Sequence, residues 1–220
     1  MEGFLQRLKI NLSFINRKIF MFFLMPLLFI GCSNSVPDVL RTDCTVVLTY
    51  DQEGISESRL SVFAQSGVDV RRCSRIKVHS IEGRYLWETD EIRKIAMGNF
   101  QWAGNCNLIL PEGEKIPQGQ YEITYINADE EQQVSYANLK YDEKLYDMKS
   151  EDIAVTMSGN GSRYLAIFDS SDILLFLGEP TEDFYTTSDM LERFNNASYY
   201  KDVWIAYDNS VICILQKNQL

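Results

Sequence analysis

Histidine is nearly missing from this 220-residue chain: His79 is its single imidazole. A hydrolytic triad would have to be built on that one residue, and no nucleophile-elbow sequence accompanies it. His79 alternates with Val78 in a strand-like run, which turns it away from the apolar side. Cysteine is sparse as well, five in all, with no close pair. The spacing of Cys44, Cys73, Cys106 and Cys213 matches no zinc pattern, so no metal site is expected. The chain also lacks positive charge, with a formal net charge of -10. An acidic body repels phosphate backbones, so no nucleic-acid partner is expected. There is no glycine-rich phosphate loop and no cofactor motif, and hence no expected cofactor. No internal repeat or low-complexity stretch is present.

A long hydrophobic run is missing too. The one apolar stretch, Ile19 to Ile30, contains Pro26 and is well short of the roughly 20 residues a spanning helix needs. It follows a basic stretch of Arg7, Lys9, Arg17 and Lys18, and it leads into Phe29-Ile30-Gly31-Cys32. A positive segment, a short apolar core and a small residue before a cleavage point describe an export leader. This arrangement resembles a bacterial lipoprotein signal. Phe29 stands where such signals usually carry Leu, with Leu28 one place further back, a looser form of the kind spirochaetes tolerate.

The resemblance implies that residues 1–31 are cleaved as a signal peptide and that Cys32 is lipidated, with palmitate among its acyl chains. It also implies that residues 32–38 form a tether. The membrane is then a partner through the anchor at Cys32, and the expected location is the bacterial cell envelope, at the outer membrane on either face. Removing residues 1–31 takes away four basic residues and one acidic residue, so the formal charge of -10 moves to -13.

What the chain has in quantity is aromatic residues, 12 Tyr and 12 Phe, in alternating rather than helical patterns. From Val39 to about Asp142, short alternating runs are broken by turn chemistry such as Asp51-Gln52-Glu53-Gly54, Gln65-Ser66-Gly67 and Pro111-Glu112-Gly113. That texture predicts an antiparallel β-sandwich over 39–142. Within it, Pro117-Gln118-Gly119-Gln120-Tyr121-Glu122-Ile123 resembles the Gly-x-Tyr corner of immunoglobulin-like and fibronectin-type sandwiches. The resemblance covers one hairpin and implies structural roles for Gly119 and Tyr121, with the Tyr hydroxyl bonded back to preceding backbone. Ile123 stands where an antibody domain has Cys, so the inter-sheet disulfide of that family is not implied.

Residues 143–152 are charged and without period and are expected to be a linker. A small α+β unit follows over 153–220, read as hairpin, helix, hairpin. Ile153 to Met157 is expected as a strand. The hairpin through Asp169-Ser170-Ser171-Asp172 has an apolar second arm, Ile173 to Leu177, expected to be buried on both faces. Thr187-Ser188-Asp189 supplies cap chemistry for a short helix carrying Met190, Leu191 and Phe194. The last hairpin joins Val203–Tyr207 to Val211–Leu215. The fold class expected is thus mainly β, an immunoglobulin-like sandwich with a small α+β appendage.

No catalytic residue is expected. Cys44, Cys73, Cys106 and Cys213 in an exported protein suit either disulfides or buried thiols. The acidic clusters Asp129-Glu130-Glu131, Asp169 with Asp172, and Glu179 with Glu182 and Asp183 lack calcium-loop spacing and read as turn tips. Phe100-Gln101-Trp102-Ala103-Gly104-Asn105, flanked by glycines, is expected as a loop whose Phe100, Trp102 and Asn105 are candidate binding residues, the other reading being a Trp folded over the core. These features point to a lipid-anchored envelope protein with a non-enzymatic binding or assembly role and a protein partner. The alternatives are a surface adhesin and a periplasmic carboxylate-based hydrolase.

Overall fold

The computed structural model describes residues 39–66, 73–181, 184 and 186–220. The expectations at Cys32, the leader, the tether, Gly67, Glu182 and Asp183 lie outside the described residues.

Twelve strands and two α-helices form among the described residues. The strands are β1 (Val39–Tyr50), β2 (Ile55–Ser66), β3 (Cys73–Ser80), β4 (Leu86–Thr89), β5 (Arg93–Met97) and β6 (Phe100–Ile109). They continue as β7 (Gly119–Asn127), β8 (Gln132–Leu139), β9 (Gly161–Asp169), β10 (Leu174–Gly178), β11 (Ala197–Ala206) and β12 (Val211–Gln219). The helices are α1 (Ser150–Met157) and α2 (Thr187–Arg193). An eight-stranded sheet runs β10-β9-β11-β12-β1-β2-β6-β5, and a four-stranded sheet runs β4-β3-β7-β8. The fold is mainly β.

The turns explain themselves in the side chains that close them. Asp51 accepts from the amides of Glu53 and Gly54, and Asp169 accepts from those of Ser171 and Ile173. Asn127 accepts from Asp129 and Glu131, and Asp208 from Ser210. Each is an Asx-type closure that lets a short polar side chain stand in for backbone pairing. Asp172, Glu130 and Asn209 take the positive φ that such turns require.

The alternating pattern buries one face of each sheet. Val46, Leu48, Leu60, Val62 and Ala64 from the large sheet pack with Ile76, Val78, Tyr121, Ile123 and Tyr125 from the small one. That is a sandwich-like core. It extends along the large sheet under α1, where Ile153 and Met157 meet Ala206, Val211, Cys213 and Leu215. A separate cluster joins Leu165 and Ile167 to Phe184 and Met190, beneath α2.

Several expectations change here. Ile153 to Met157 is helix, not strand, because Ile153 and Met157 sit four apart and bury together on the sheet. Residues 143–152, expected as a linker, hold a 3-10 turn (Glu143–Asp147) capped by Asp142. Leu145 is buried there, and its carbonyl accepts from the Tyr50 hydroxyl at 2.8 Å. The last strand runs parallel to the first, with Val46 beside Val211 and Leu48 beside Cys213, so β9 to β12 complete the same sheet that β1 and β2 belong to. The arm from Ile173 to Leu177 is not buried on both faces: β10 is an edge strand, with Leu174 and Leu177 exposed. Helix α2 is capped one residue earlier than expected, by Thr186, which forms a reciprocal capping box with Asp189.

Candidate functional site

The stretch from Phe100 to Asn105 is part of strand β6, not a loop. Gly104 explains the misreading. It is a close-approach residue, since a Cβ there would lie 2.0 Å from the Val62 carbonyl oxygen and 2.8 Å from the Phe63 ring. The glycine therefore lets β6 pass under Phe63 rather than breaking the strand.

Register then distributes the candidate residues between two faces. Trp102 pairs with Gln65 on β2 and Ile95 on β5, and Met97 pairs with Phe100. Residues at alternate positions share a face, so Phe63, Phe100 and Trp102 lie on the outer side with Arg93, Ile95 and Met97. Ile95, Met97 and Phe100 are exposed, at 45%, 64% and 47%, while Phe63 and Trp102 are half-buried. All five residues of β5 are exposed, and β5 is the free edge of its sheet. An apolar outer patch thus meets an open strand edge, which is where proteins are recognised or aggregate.

Asn105 does not join that patch. It is buried at 6%, its amide donates to the Glu91 carbonyl at 2.9 Å, and its oxygen accepts from the Asn107 amide at 2.6 Å. It fixes the connection before β5 against β6. The same row of pairing places the patch at the end of the molecule where β1 starts: Val39 pairs with Ser66, Ser66 with Gln101, and Gln101 with Ala96. Sequence reasoning picked out Phe100 and Trp102 but missed Ile95 and Met97. The alternation Arg93-Ile95-Met97, read as an edge strand, carries that signal.

Gly119 and Tyr121 form a corner at the start of β7. Gly119 has φ of +113°, and a Cβ there would meet the Glu82 carboxylate at 2.5 Å. Glu82 accepts from the Gln120 amide at 2.8 Å, so the carboxylate occupies the space a side chain would need. Tyr121 is fully buried, and its hydroxyl donates to the Pro117 carbonyl at 2.6 Å. Tyr125, two turns of the pleat further on, is also buried, but its hydroxyl has no hydrogen-bond partner among the described residues. It faces a cavity of about 10 Å³ lined also by Val39, Ala64, Cys73 and Ala103.

Cys44, Cys73, Cys106 and Cys213 are free thiols, not bridged; Cys73 and Cys213 are buried, Cys44 and Cys106 half-buried. Burial pushes the thiols of Cys44 and Cys213 up to about 12, with Asp43 adding to the rise at Cys44 and the Tyr50 hydroxyl opposing it at Cys213. Cys73 is raised by burial too, against the partial opposition of Lys94. These groups stay protonated at neutral pH, the reverse of an activated nucleophile.

His79 is exposed on β3, opposite Leu86 and Glu122. Two open clefts lie on the surface. One of about 630 Å³ is lined by Arg59, Asp90, Glu91, Arg93, Asn105 and Cys106. The other, about 590 Å³, runs past Glu57, Glu112, Glu114, Lys115 and Tyr146. In the acidic turns the carboxylates have structural partners. Asp172 accepts from the Tyr199 hydroxyl at 2.7 Å, and Glu130 pairs with Arg75 at 2.7 Å. Among the described residues no group of three or more His, Cys, Asp or Glu is placed to hold a metal ion, and no helix is long and apolar enough to cross a membrane.

No protein-family model fits the chain, and no curated protein sequence matches it.

Proposed function

We propose that the chain is a lipid-anchored protein of the bacterial cell envelope, held at Cys32 and acting by binding or assembly rather than catalysis. The observation that carries the reading is the exposed patch of Ile95, Met97 and Phe100 beside half-buried Trp102, at the end of the sheet where β1 begins. Three large exposed apolar side chains on one hairpin form the kind of contiguous patch that marks an interaction surface in a soluble body. The basic, apolar and small-residue sequence before Cys32 supplies the address. The tyrosine corner at Gly119 and Tyr121 supports reading the two-sheet core as an immunoglobulin-like sandwich, a class that commonly serves recognition. The expected location is the outer membrane, with a protein partner in the envelope.

Fractionation tests the reading. Wild type should sediment with membranes and be released by detergent, not by high salt, while Cys32→Ala should be unprocessed or appear in the soluble fraction. A wild-type protein found soluble and starting elsewhere than Cys32 would remove the anchor.

A further inference from the structure

Among the described residues four strands stand at the edges of the two sheets, and three of them are blunted. β4 is four residues long and carries Glu88, and β5 has five residues and opens on Arg93 and Lys94. β10 has five residues and slips register against β9 between Leu174 and Phe176. Short length, charge and a register break are what keep a sheet edge from pairing with another chain. The fourth edge, β8, has none of them. Its eight residues, Gln132 to Leu139, include no charge, no proline and no break in register against β7.

The turn before β8 shows which of its backbone groups are free. The Asn127 amide donates to the Glu131 carbonyl at 3.1 Å, so Asn127 and Glu131 are a bonded pair. Bonded pairs alternate along an antiparallel ladder, which turns the amides and carbonyls of Gln133, Ser135, Ala137 and Leu139 to β7. Those of Gln132, Val134, Tyr136 and Asn138 point to the open side. Gln120 agrees: it lies opposite Asn138, and its carbonyl accepts from the Ile81 amide at 3.0 Å, away from β8. The Thr42 hydroxyl donates to the Ser135 hydroxyl at 2.7 Å, which sets the middle of β8 over the first half of β1. β12 joins β1 only from Val46 onward, and α1 covers β12 from Val211, the partner of Val46. Beside the middle of β8 neither of them has begun.

Charge and register say what fits this edge. The turn Asp129–Glu131 precedes β8, Lys140 follows it, and all four residues are exposed. A second β8 laid antiparallel on the first brings its Lys140 to that acidic turn, so both ends of the pair close on opposite charges. A two-fold axis through Ser135 sets Val134 opposite the partner's Tyr136 and Gln132 opposite the partner's Asn138. Val134 and Tyr136 are exposed, at 43% and 55%. A β-branched residue opposite an aromatic one is a favourable cross-strand pair, and this register places no like charges opposite each other.

We infer that the chain forms a two-fold dimer in which β8 pairs antiparallel with β8 of a second copy, joining two four-stranded sheets into one of eight strands. The inference goes beyond the anchored-envelope reading and does not depend on Cys32. One strand pair is smaller than a standard interface, so the dimer dissociates on dilution.

The test uses the full chain as the cell processes it, in a mild detergent, with sedimentation equilibrium at matched detergent density. Wild type should pass from monomer to dimer as concentration rises. Val134→Lys should weaken association at least tenfold with an unchanged circular-dichroism spectrum, because the side chain it replaces is exposed, and Lys140→Glu should weaken it at least threefold. Ser135→Cys should yield a disulfide-linked dimer under mild oxidant, since a residue on the axis faces its own copy across a non-bonded pair, about 4.5 Å between Cα atoms. Adding Val134→Lys should abolish that cross-link, and Gln132→Cys should form none. A wild type that stays monomeric at millimolar concentration would overturn the dimer. So would a dimer that Val134→Lys leaves intact, or one cross-linked by Gln132→Cys and not by Ser135→Cys. An open series of oligomers would mean a head-to-tail contact and would overturn it too. None of these outcomes bears on the anchor at Cys32, which fractionation decides separately.

Discussion

Two buried tyrosines on one strand should respond in opposite ways to the same deletion. Tyr121 and Tyr125 lie on β7, point into the same core and are both almost inaccessible, at 0% and 3%. They differ in the hydroxyl. Tyr121 donates to the Pro117 carbonyl at 2.6 Å, whereas Tyr125 has no partner among the described residues. Tyr121→Phe keeps the ring and its packing but removes a net hydrogen bond and leaves a carbonyl short of its donor. The expected loss is about 1–2 kcal/mol. For the body Val36–Leu220, that corresponds to a fall in Tm of about 2–8 °C. Tyr125→Phe removes a buried polar atom that gains nothing in the folded state, so stability should hold within about 0.5 kcal/mol or rise by up to about 1 kcal/mol. Urea denaturation of the two variants against wild type, read by far-ultraviolet circular dichroism, makes the comparison. Equal losses in both variants, or no loss in Tyr121→Phe, would refute the corner as a source of stability.

Gly119→Ala should cost about 1–3 kcal/mol, since φ of +113° is strained for Ala and the Glu82 carboxylate must leave the Gln120 amide; a thermal melt checks it. Asn105→Ala should lose about 1–3 kcal/mol by stripping partners from the Glu91 carbonyl and the Asn107 amide, while Met97→Asp should change stability by less than about 0.5 kcal/mol. The raised thiols set a pH dependence. Below pH 9 both folded and unfolded thiols are protonated and the full stability is present; between pH 9 and about 12 the unfolded chain ionises first, and stability falls. Each of Cys44 and Cys213 contributes up to about 1.4 kcal/mol per pH unit, so Cys213→Ala should flatten urea-derived stability against pH above 9. A thiol reagent at pH 8 should leave Cys213 unmodified in the folded protein and react with it in 6 M guanidinium.

Much of the fold was legible because its signals are local. The turns at Asp51, Asp169 and Asp208 announce themselves by Asx chemistry, and the alternation in β3 and β7 gives both the strands and their buried faces. The parallel pairing of β1 with β12 leaves no such mark, because it joins Val46 to Val211 across the length of the chain. The linker reading of 143–152 failed for a related reason. Leu145 and Tyr146 are held by distant partners, the Tyr50 hydroxyl and the Ile116 amide, which a local pattern cannot show. Ile153 to Met157 carries three β-branched residues among its five, Ile153, Val155 and Thr156, yet tertiary burial of Ile153 and Met157 on the sheet selects the helix. In the candidate site, aromatic residues between glycines marked Phe100 and Trp102 but suggested a loop, since the need for Gly104 under Phe63 comes from the neighbouring strand.

Mass spectrometry of the mature N-terminus, on protein purified from its own membrane fraction, tests the central claim most directly. The account predicts a chain beginning at Cys32, with a thioether-linked diacylglyceryl group on its sulphur and residues 1–31 gone. A chain that retains residues 1–31, or one that begins at Cys32 or beyond with an unmodified thiol, would contradict it.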